Sequence, residues 1–324
     1  MKHSTHFLIL ILVFTSCLSQ RQVDSNNVFR PEFDISKDNR RIVCSYYENN
    51  KAGIYEIDIT SKEKVKLSDN SKTSLIRPKY SPDNDKIACI SESVFDDLKS
   101  KICLIDKSSK AVVDLTSDSI LILECVFSPN GEQIYFSGSK YYGNYSPVAR
   151  KAPHDIDIYS VNIESKKVRQ ITNFESYNLH GLSVTNTGDS LLFHLDSKTK
   201  NGLILMSLID NGIKQIIANN DLRAEKNLTP YEYYLPILSS DNLNIAFSEP
   251  YELYIMNRLT GVSKRIFRNE PVLVNAGYFK FFNDYNYLML TLPTNIDKKN
   301  SSGDNFGFFT LNPETNELRT LDIQ

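Results

Sequence analysis

The sequence predicts an all-β fold, a six-bladed β-propeller of four-stranded antiparallel blades, on three observations. First, an apolar strand, a Ser-Pro-Asp-Gly-like turn, a second apolar strand, an Ile-Tyr-x-x-Asp-like strand and a Leu-Thr-like strand recur in that order about six times. Second, the equivalent turn positions Ser36, Ser81, Ser128, Thr185, Ser239 and Phe282 lie 45, 47, 57, 54 and 43 residues apart, close to the period of one propeller blade. Third, no segment beyond the first 16 residues carries a helical stripe, whereas short apolar runs bounded by Gly, Asn, Asp, Ser and Pro read as hairpins.

Taken in order, blade one turns at ISKDN (Ile35 to Asn39). Blades two and three hold the clearest copies: RPKYSPDNDKIACIS (Arg77 to Ser91) with KICLIDKSSKAVVDLT, and CVFSPNGEQIYFSG (Cys125 to Gly138) with DIYSVNIESKKVRQIT. Blades four, five and six turn at VTNTG (Val184 to Gly188), LSSDN (Leu238 to Asn242) and FFNDY (Phe281 to Tyr285). The turn chemistry has a reason at each place. Pro presets the first turn position, Asp or Asn bonds back to the backbone, and Gly or Asn accepts positive φ. A four-stranded sheet cannot cover both of its faces alone, so such units stack, and closing them into a ring removes the exposed end sheets. Asp58 and Asp106, ending the third strands of blades one and two, are expected to tie down turns.

The 324 residues are 41% hydrophobic and 23% charged, which suits one large folded domain with a substantial core. A formal net charge of -2 supplies no basic field for nucleic acid. Trp is absent, which excludes the Trp-Asp type of propeller repeat; 18 Tyr and 17 Phe supply the aromatic bulk.

The first residues, MKHSTHFLILILVFTSCLSQ, combine Lys2, an apolar run from Phe7 to Phe14 and Thr15-Ser16-Cys17. The run is too short to span a bilayer and reads as a signal peptide. The expected organisation is a signal peptide over 1–16, a lipidated N-terminus and short tether over 17–28, and the propeller over 29–324. Phe14-Thr15-Ser16-Cys17 resembles a bacterial lipobox, which implies lipidation of Cys17; Phe14 departs from the usual Leu, and a cleaved secretory signal with an incidental Cys is the alternative. Four Cys remain, Cys44, Cys89, Cys103 and Cys125. Cys44 and Cys89 hold equivalent second-strand positions where a small apolar residue belongs, so buried free thiols are expected. A bridge between Cys89 and Cys103, on neighbouring strands, stays open.

At SPDN, SPNG, IYEID and DIYSV the chain resembles the TolB-like propeller repeats of bacterial envelope proteins. That resemblance implies a six-bladed propeller in the periplasm or at the outer membrane, acting as a scaffold for other proteins. TolB carries an additional N-terminal α/β domain, for which this chain has no room.

Antiparallel reversal puts the second-to-third loops and the blade-to-blade crossings on one face and the Ser-Pro-Asp-Gly-like turns on the other. Every long insertion falls on the first face: Ser91 to Ser100, Ser139 to Tyr159, Asn219 to Pro230 and Thr291 to Asn305. Long loops gathered on one rim of a rigid scaffold are the usual place for binding. The blade-three insertion gathers Tyr141, Tyr142 and Tyr145 with Arg150, Lys151, His154 and Asp155, residue types that make interface anchors. It is therefore expected to contact an envelope protein or a glycan, or else to pack over its own rim.

No catalytic residue, cofactor or metal is expected. After the signal peptide the His are His154, His180 and His194, and none forms a metal-ligand spacing. The alternative is a carbohydrate-binding or polysaccharide-lyase-like propeller in which His154 and His180 approach the same face. No G-x-S-x-G elbow and no α/β segment after the repeats supports a hydrolase. Arg77, Glu124, Gly181 and Leu235 align on first strands and are expected to line the central channel.

Overall fold

The computed structural model describes residues 28–48, 51–68, 73–93, 99–141, 143–216, 234–249, 251–268, 278–284, 286–293 and 306–323. The expected signal peptide, Cys17 and Tyr142 lie outside them. Blade one is β1 (Val28–Ile35), β2 (Arg41–Glu48), β3 (Lys51–Asp58) and β4 (Lys64–Ser68). Blade two is β5 (Thr73–Tyr80), β6 (Lys86–Ser93), β7 (Ser100–Asp106) and β8 (Val112–Asp114). Blade three is β9 (Leu121–Phe127), β10 (Gln133–Ser139), β11 (Ile156–Asn162) and β12 (Val168–Gln170). Blade four is β13 (Asn178–Val184), β14 (Ser190–Asp196), β15 (Asn201–Ser207) and β16 (Ile213–Ile216). Blade five is β17 (Tyr234–Leu238), β18 (Asn244–Ser248), β19 (Glu252–Asn257) and β20 (Ser263–Arg268). Blade six is β21 (Tyr278–Phe281), β22 (Leu288–Pro293), β23 (Phe306–Leu311) and β24 (Leu318–Leu321).

Each sheet contains four consecutive strands in sequence order, so no strand is lent from one end of the chain to complete the last blade. What closes the ring is packing. The apolar core of the described residues divides into six clusters, each straddling a pair of neighbouring blades, the one between blades two and three also taking in Ala52 of blade one. The joint between blades six and one is built like the others: Phe33, Ile42 and Cys44 pack on Met289, Phe308 and Ile323. Phe33 is fully buried with its ring edge-on to Tyr278 and Phe308 at 5.4 and 5.6 Å, a burial that contributes about 1.5–3 kcal/mol. The four described cysteines are free thiols inside this core, Cys89 directly opposite Cys103 in the β6/β7 register. Burial pushes Cys44, Cys103 and Cys125 up to about 12, which leaves them as inert thiols.

The Ser-Pro-Asp-Gly-like turns form as their residues require. In blade one the Ser36 hydroxyl donates to Asp38 at 2.6 Å and accepts from the Arg41 N–H at 2.9 Å; Ser81 and Asp83 repeat this in blade two. The fourth residue is left-handed in Asn39, Asn84, Gly131, Gly188 and Asn242, with φ between 61° and 73°. The turns also touch each other around the ring. Where the second turn residue has an N–H, it donates to the side-chain oxygen of the next blade's Asn: Lys37 to Asn84, Asn186 to Asn242 and Asn283 to Asn39, at 3.1, 3.1 and 2.8 Å. Where it is Pro, the next blade carries Gly, and the Cβ positions at Gly131 and Gly188 point at the Pro82 and Pro129 rings. Thus Pro is followed by Gly, and a donor by Asn. Between blades five and six the Ser240 hydroxyl donates to the Asn283 carbonyl instead.

The third-to-fourth turns repeat as well. Asp58 accepts from the Thr60 and Ser61 N–H groups at 2.9 and 2.7 Å, and Asp106 accepts from Ser109 N–H at 2.8 Å. These contacts hold Asp58 below the ordinary carboxylate range and Asp106 at about 2. Both aspartates therefore tie down turns. Each of the six turns has a left-handed residue four positions on: Lys62, Lys110, Lys166, Asn211, Gly261 and Asn316. Among the described residues no helix is long and apolar enough to cross a membrane.

Candidate functional site: the long-loop face and the central channel

The blade-three insertion joins β10 to β11 and is fastened at two levels. At its base the Ser139 hydroxyl donates to the His154 carbonyl at 2.5 Å, and Ser139 also accepts from the Tyr141 N–H at 3.1 Å. Ile156 and Ser176 exchange backbone hydrogen bonds at 3.0 and 3.2 Å, which ties the base to the crossing into blade four. Asp157 completes this anchor, accepting from Thr172 and from the Phe174 N–H at 2.7 and 2.6 Å. Higher up, Ser146 and Arg150 exchange two backbone bonds of 2.7 Å, closing a tight loop in which Arg150 is left-handed.

The anticipated contact residues divide on this frame. Tyr141 and Tyr145 stand out at 54% and 69% exposure, Val148 joins them at 45%, and Arg150 and Lys151 are exposed. His154 faces inward instead: it is 5% exposed, its Nδ1 lies 3.0 Å from the Ala152 carbonyl, and its Nε2 lies 3.7 Å from the Asp155 carboxylate. That Nδ1 contact makes Nδ1 the protonated nitrogen. Asp155 is half-buried and left-handed. His154 and Asp155 therefore brace the base, while Tyr141, Tyr145, Arg150 and Lys151 face solvent.

His180 lies on the first strand of blade four. It pairs with His194 across the β13/β14 register, ring centroids 4.7 Å apart. Among the described residues no three His, Cys, Asp or Glu side chains come together as metal ligands would.

The channel is richer than its four aligned positions suggested. The first strands of blades one to five each carry a register shift, and at the shift Arg77, Gly181 and Leu235 are left-handed, φ 53°, 71° and 48°. Counting four and two residues back from each turn residue gives two sets of equivalent first-strand positions. One set is Glu32, Arg77, Glu124, Gly181, Leu235 and Tyr278; the other is Asp34, Lys79, Val126, Ser183, Ile237 and Lys280. Charges occupy the sector of blades six, one, two and three, and they pair between blades. Arg77 Nε lies 3.3 Å from Glu32, Lys79 donates to the Tyr278 hydroxyl at 2.7 Å, and Lys280 donates to Asp34. Two carboxylates also grip the next blade's backbone: Asp34 accepts from the Tyr80 N–H at 2.8 Å, and Glu124 from the Gly181 and Leu182 N–H groups at 3.2 Å each. Burial raises Glu124, against the pull of those amides, Arg77 and Lys79. The channel charges thus act as ties between blades. Sequence reading missed Glu32, Asp34, Lys79, Tyr278 and Lys280; counting back from Ser36 and Phe282, as from Ser81 and Ser128, reaches them.

No protein-family profile and no curated protein sequence matches the chain. Solved structures do. TolB from Acinetobacter baumannii superposes with a TM-score of 0.65 at 16% identity over 88% of this chain, which spans 64% of that protein's length. An oligogalacturonate lyase from Vibrio parahaemolyticus gives 0.60 at 9% identity, over 91% of this chain and 79% of the lyase. A nidogen/laminin complex gives 0.59 at 8% identity, over 91% and 92%. These three share an architecture and not an activity, as common folds do. The chain is a six-bladed β-propeller with the TolB-like fold.

Proposed function

We propose that this protein is a non-catalytic component of the bacterial cell envelope, tethered through Cys17 and binding another envelope protein through its long-loop face. The observation that carries the reading is the pairing of Tyr141 and Tyr145, more than half exposed, with a loop whose base is fastened to blade three and to the next crossing. Aromatic side chains held in place lose little entropy on contact, which is what makes them anchors. Arg150 and Lys151 add directed charge beside them. The likeness to TolB and the lipobox-like N-terminus support the envelope placement. A carbohydrate-lyase reading would draw on His154 and His180; the burial of His154 and the stacking of His180 on His194 favour the non-catalytic reading.

The test is in vivo crosslinking and co-purification of wild type against Tyr141→Ala/Tyr145→Ala/Arg150→Ala. Loss of a defined partner supports the face, and an unchanged partner set overturns it. Labelling with radioactive palmitate, lost in Cys17→Ser, checks the tether separately.

A further inference from the structure

The face of tight turns is apolar in one sector. In the six third-to-fourth turns the residue two positions after the capping Asp, Asn or Ser is solvent-exposed throughout: Thr60, Ser108, Glu164, Ile209, Leu259 and Glu314. Four copies are polar, as a turn tip in water favours. The two apolar ones stand on neighbouring blades, four and five, and Ile209 and Leu259 are among the most exposed large apolar side chains, at 84% and 70%. Val262, in the same blade-five turn, is 59% exposed where blades one, three and six carry Glu63, Lys167 and Glu317. Leu243 adds a fourth at 43%, and its carbonyl accepts from the Arg258 N–H at 2.8 Å. The turn fold needs none of this, since the same capped, left-handed geometry forms with Thr, Ser or Glu at the tip.

The two turns carry opposite charge. Residues 207–212 hold Asp210 and no cation, and residues 257–262 hold Arg258 and no anion. The contacts of Asp210 with Ser207 and with the Gly212 N–H lower its pKa and keep it ionised. An acidic apolar turn beside a basic apolar turn is complementary to itself under a two-fold axis, which sets each blade four on the partner's blade five.

We propose that the tight-turn face of blades four and five is the contact of a symmetric dimer, a second copy of this chain covering Ile209, Leu259 and Val262. Dimerisation there leaves the long-loop faces of both copies open.

The chain's own blades supply the substitution. Ile209→Glu/Leu259→Glu gives blades four and five the tip residue of blades three and six, so the turns keep their fold. Sedimentation velocity of the mature protein over a wide concentration range is expected to show a concentration-dependent dimer for wild type. The double variant is expected to associate about tenfold more weakly or not at all, a loss of about 1.4 kcal/mol or more, with an unchanged circular dichroism spectrum and melting temperature. Thr60→Glu, the equivalent change on blade one, is expected to dimerise as wild type does. A wild type that stays monomeric throughout, or a double variant as dimeric as wild type, overturns the proposal.

Discussion

Gly181 and Gly188 have nearly the same left-handed backbone, φ 71° and 73°, but different surroundings, and that difference sets a measurable gap between their alanine variants. At Gly188 an added Cβ meets the Pro129 ring at 3.4 Å, ordinary contact. Gly188→Ala therefore costs mainly the left-handed conformation of an L-residue, about 1 kcal/mol. At Gly181 the Cβ falls 2.2 Å from Pro236 Cδ, 2.6 Å from Cγ and 2.7 Å from the backbone nitrogen of the next blade. No rotamer relieves this, because the obstacle is a ring and a main chain, and the neighbouring Gly181 and Leu182 N–H groups are held by Glu124. Overpacking of that kind adds about 1–3 kcal/mol. Gly181→Ala is expected to lose about 3 kcal/mol in all, roughly 2 more than Gly188→Ala. With no Trp in the chain, urea unfolding followed by far-ultraviolet circular dichroism and Tyr fluorescence measures both. Equal losses in the two variants would refute the claim that first strands of adjacent blades are in hard contact at the channel.

Two further outcomes follow from the joints and the turns. Asn283 donates from its side chain to the Ser36 carbonyl, the Lys37 carbonyl and Asn39 at 3.0, 3.3 and 2.9 Å across the joint of blades six and one, so Asn283→Ala is expected to cost about 1–2 kcal/mol in urea unfolding; no change in the midpoint would show that the joint does not depend on it. The turn carboxylates Asp38 and Asp83 are lowered chiefly by their serine hydroxyls, so their stabilisation is present above the ordinary 3.8 and is lost as pH falls through the folded values. Urea midpoints should therefore drop between pH 4 and about 2, the value to which Asp106 falls. Glu124, raised by burial, acts in the opposite sense above 4.5 and does not contribute to that loss.

The fold was legible because each blade advertises a turn that only a few residues can make. Ser81-Pro82-Asp83-Asn84 and Ser128-Pro129-Asn130-Gly131 set the phase, and the degenerate copies at Thr185, Ser239 and Phe282 fell into it. The channel was legible only in part: Arg77, Glu124, Gly181 and Leu235 align in blades two to five, and the same count back from Ser36 and Phe282 adds Glu32, Asp34, Tyr278 and Lys280. In the blade-three insertion composition named Tyr141 and Tyr145, which stand in solvent, together with His154, which is buried. A histidine in a loop offers no periodicity from which its facing can be read. The apolar sector escaped for another reason. A tight turn carries no insertion to mark it, and only the alignment of residues 207–212 and 257–262 with their four counterparts sets Ile209 and Leu259 apart.

The rule that Pro is met by Gly and an N–H donor by Asn is written across a boundary, half in one blade and half in the next. A blade cut out and grafted elsewhere would take with it one half of two different bargains. Exchanging blades three and five, for instance, would bring Asn242 up to Pro82, which has no hydrogen to give. For recombination or design in this propeller the module to be moved intact is a pair of turns in sequence, and libraries that shuffle single blades should survive only where the flanking residues agree.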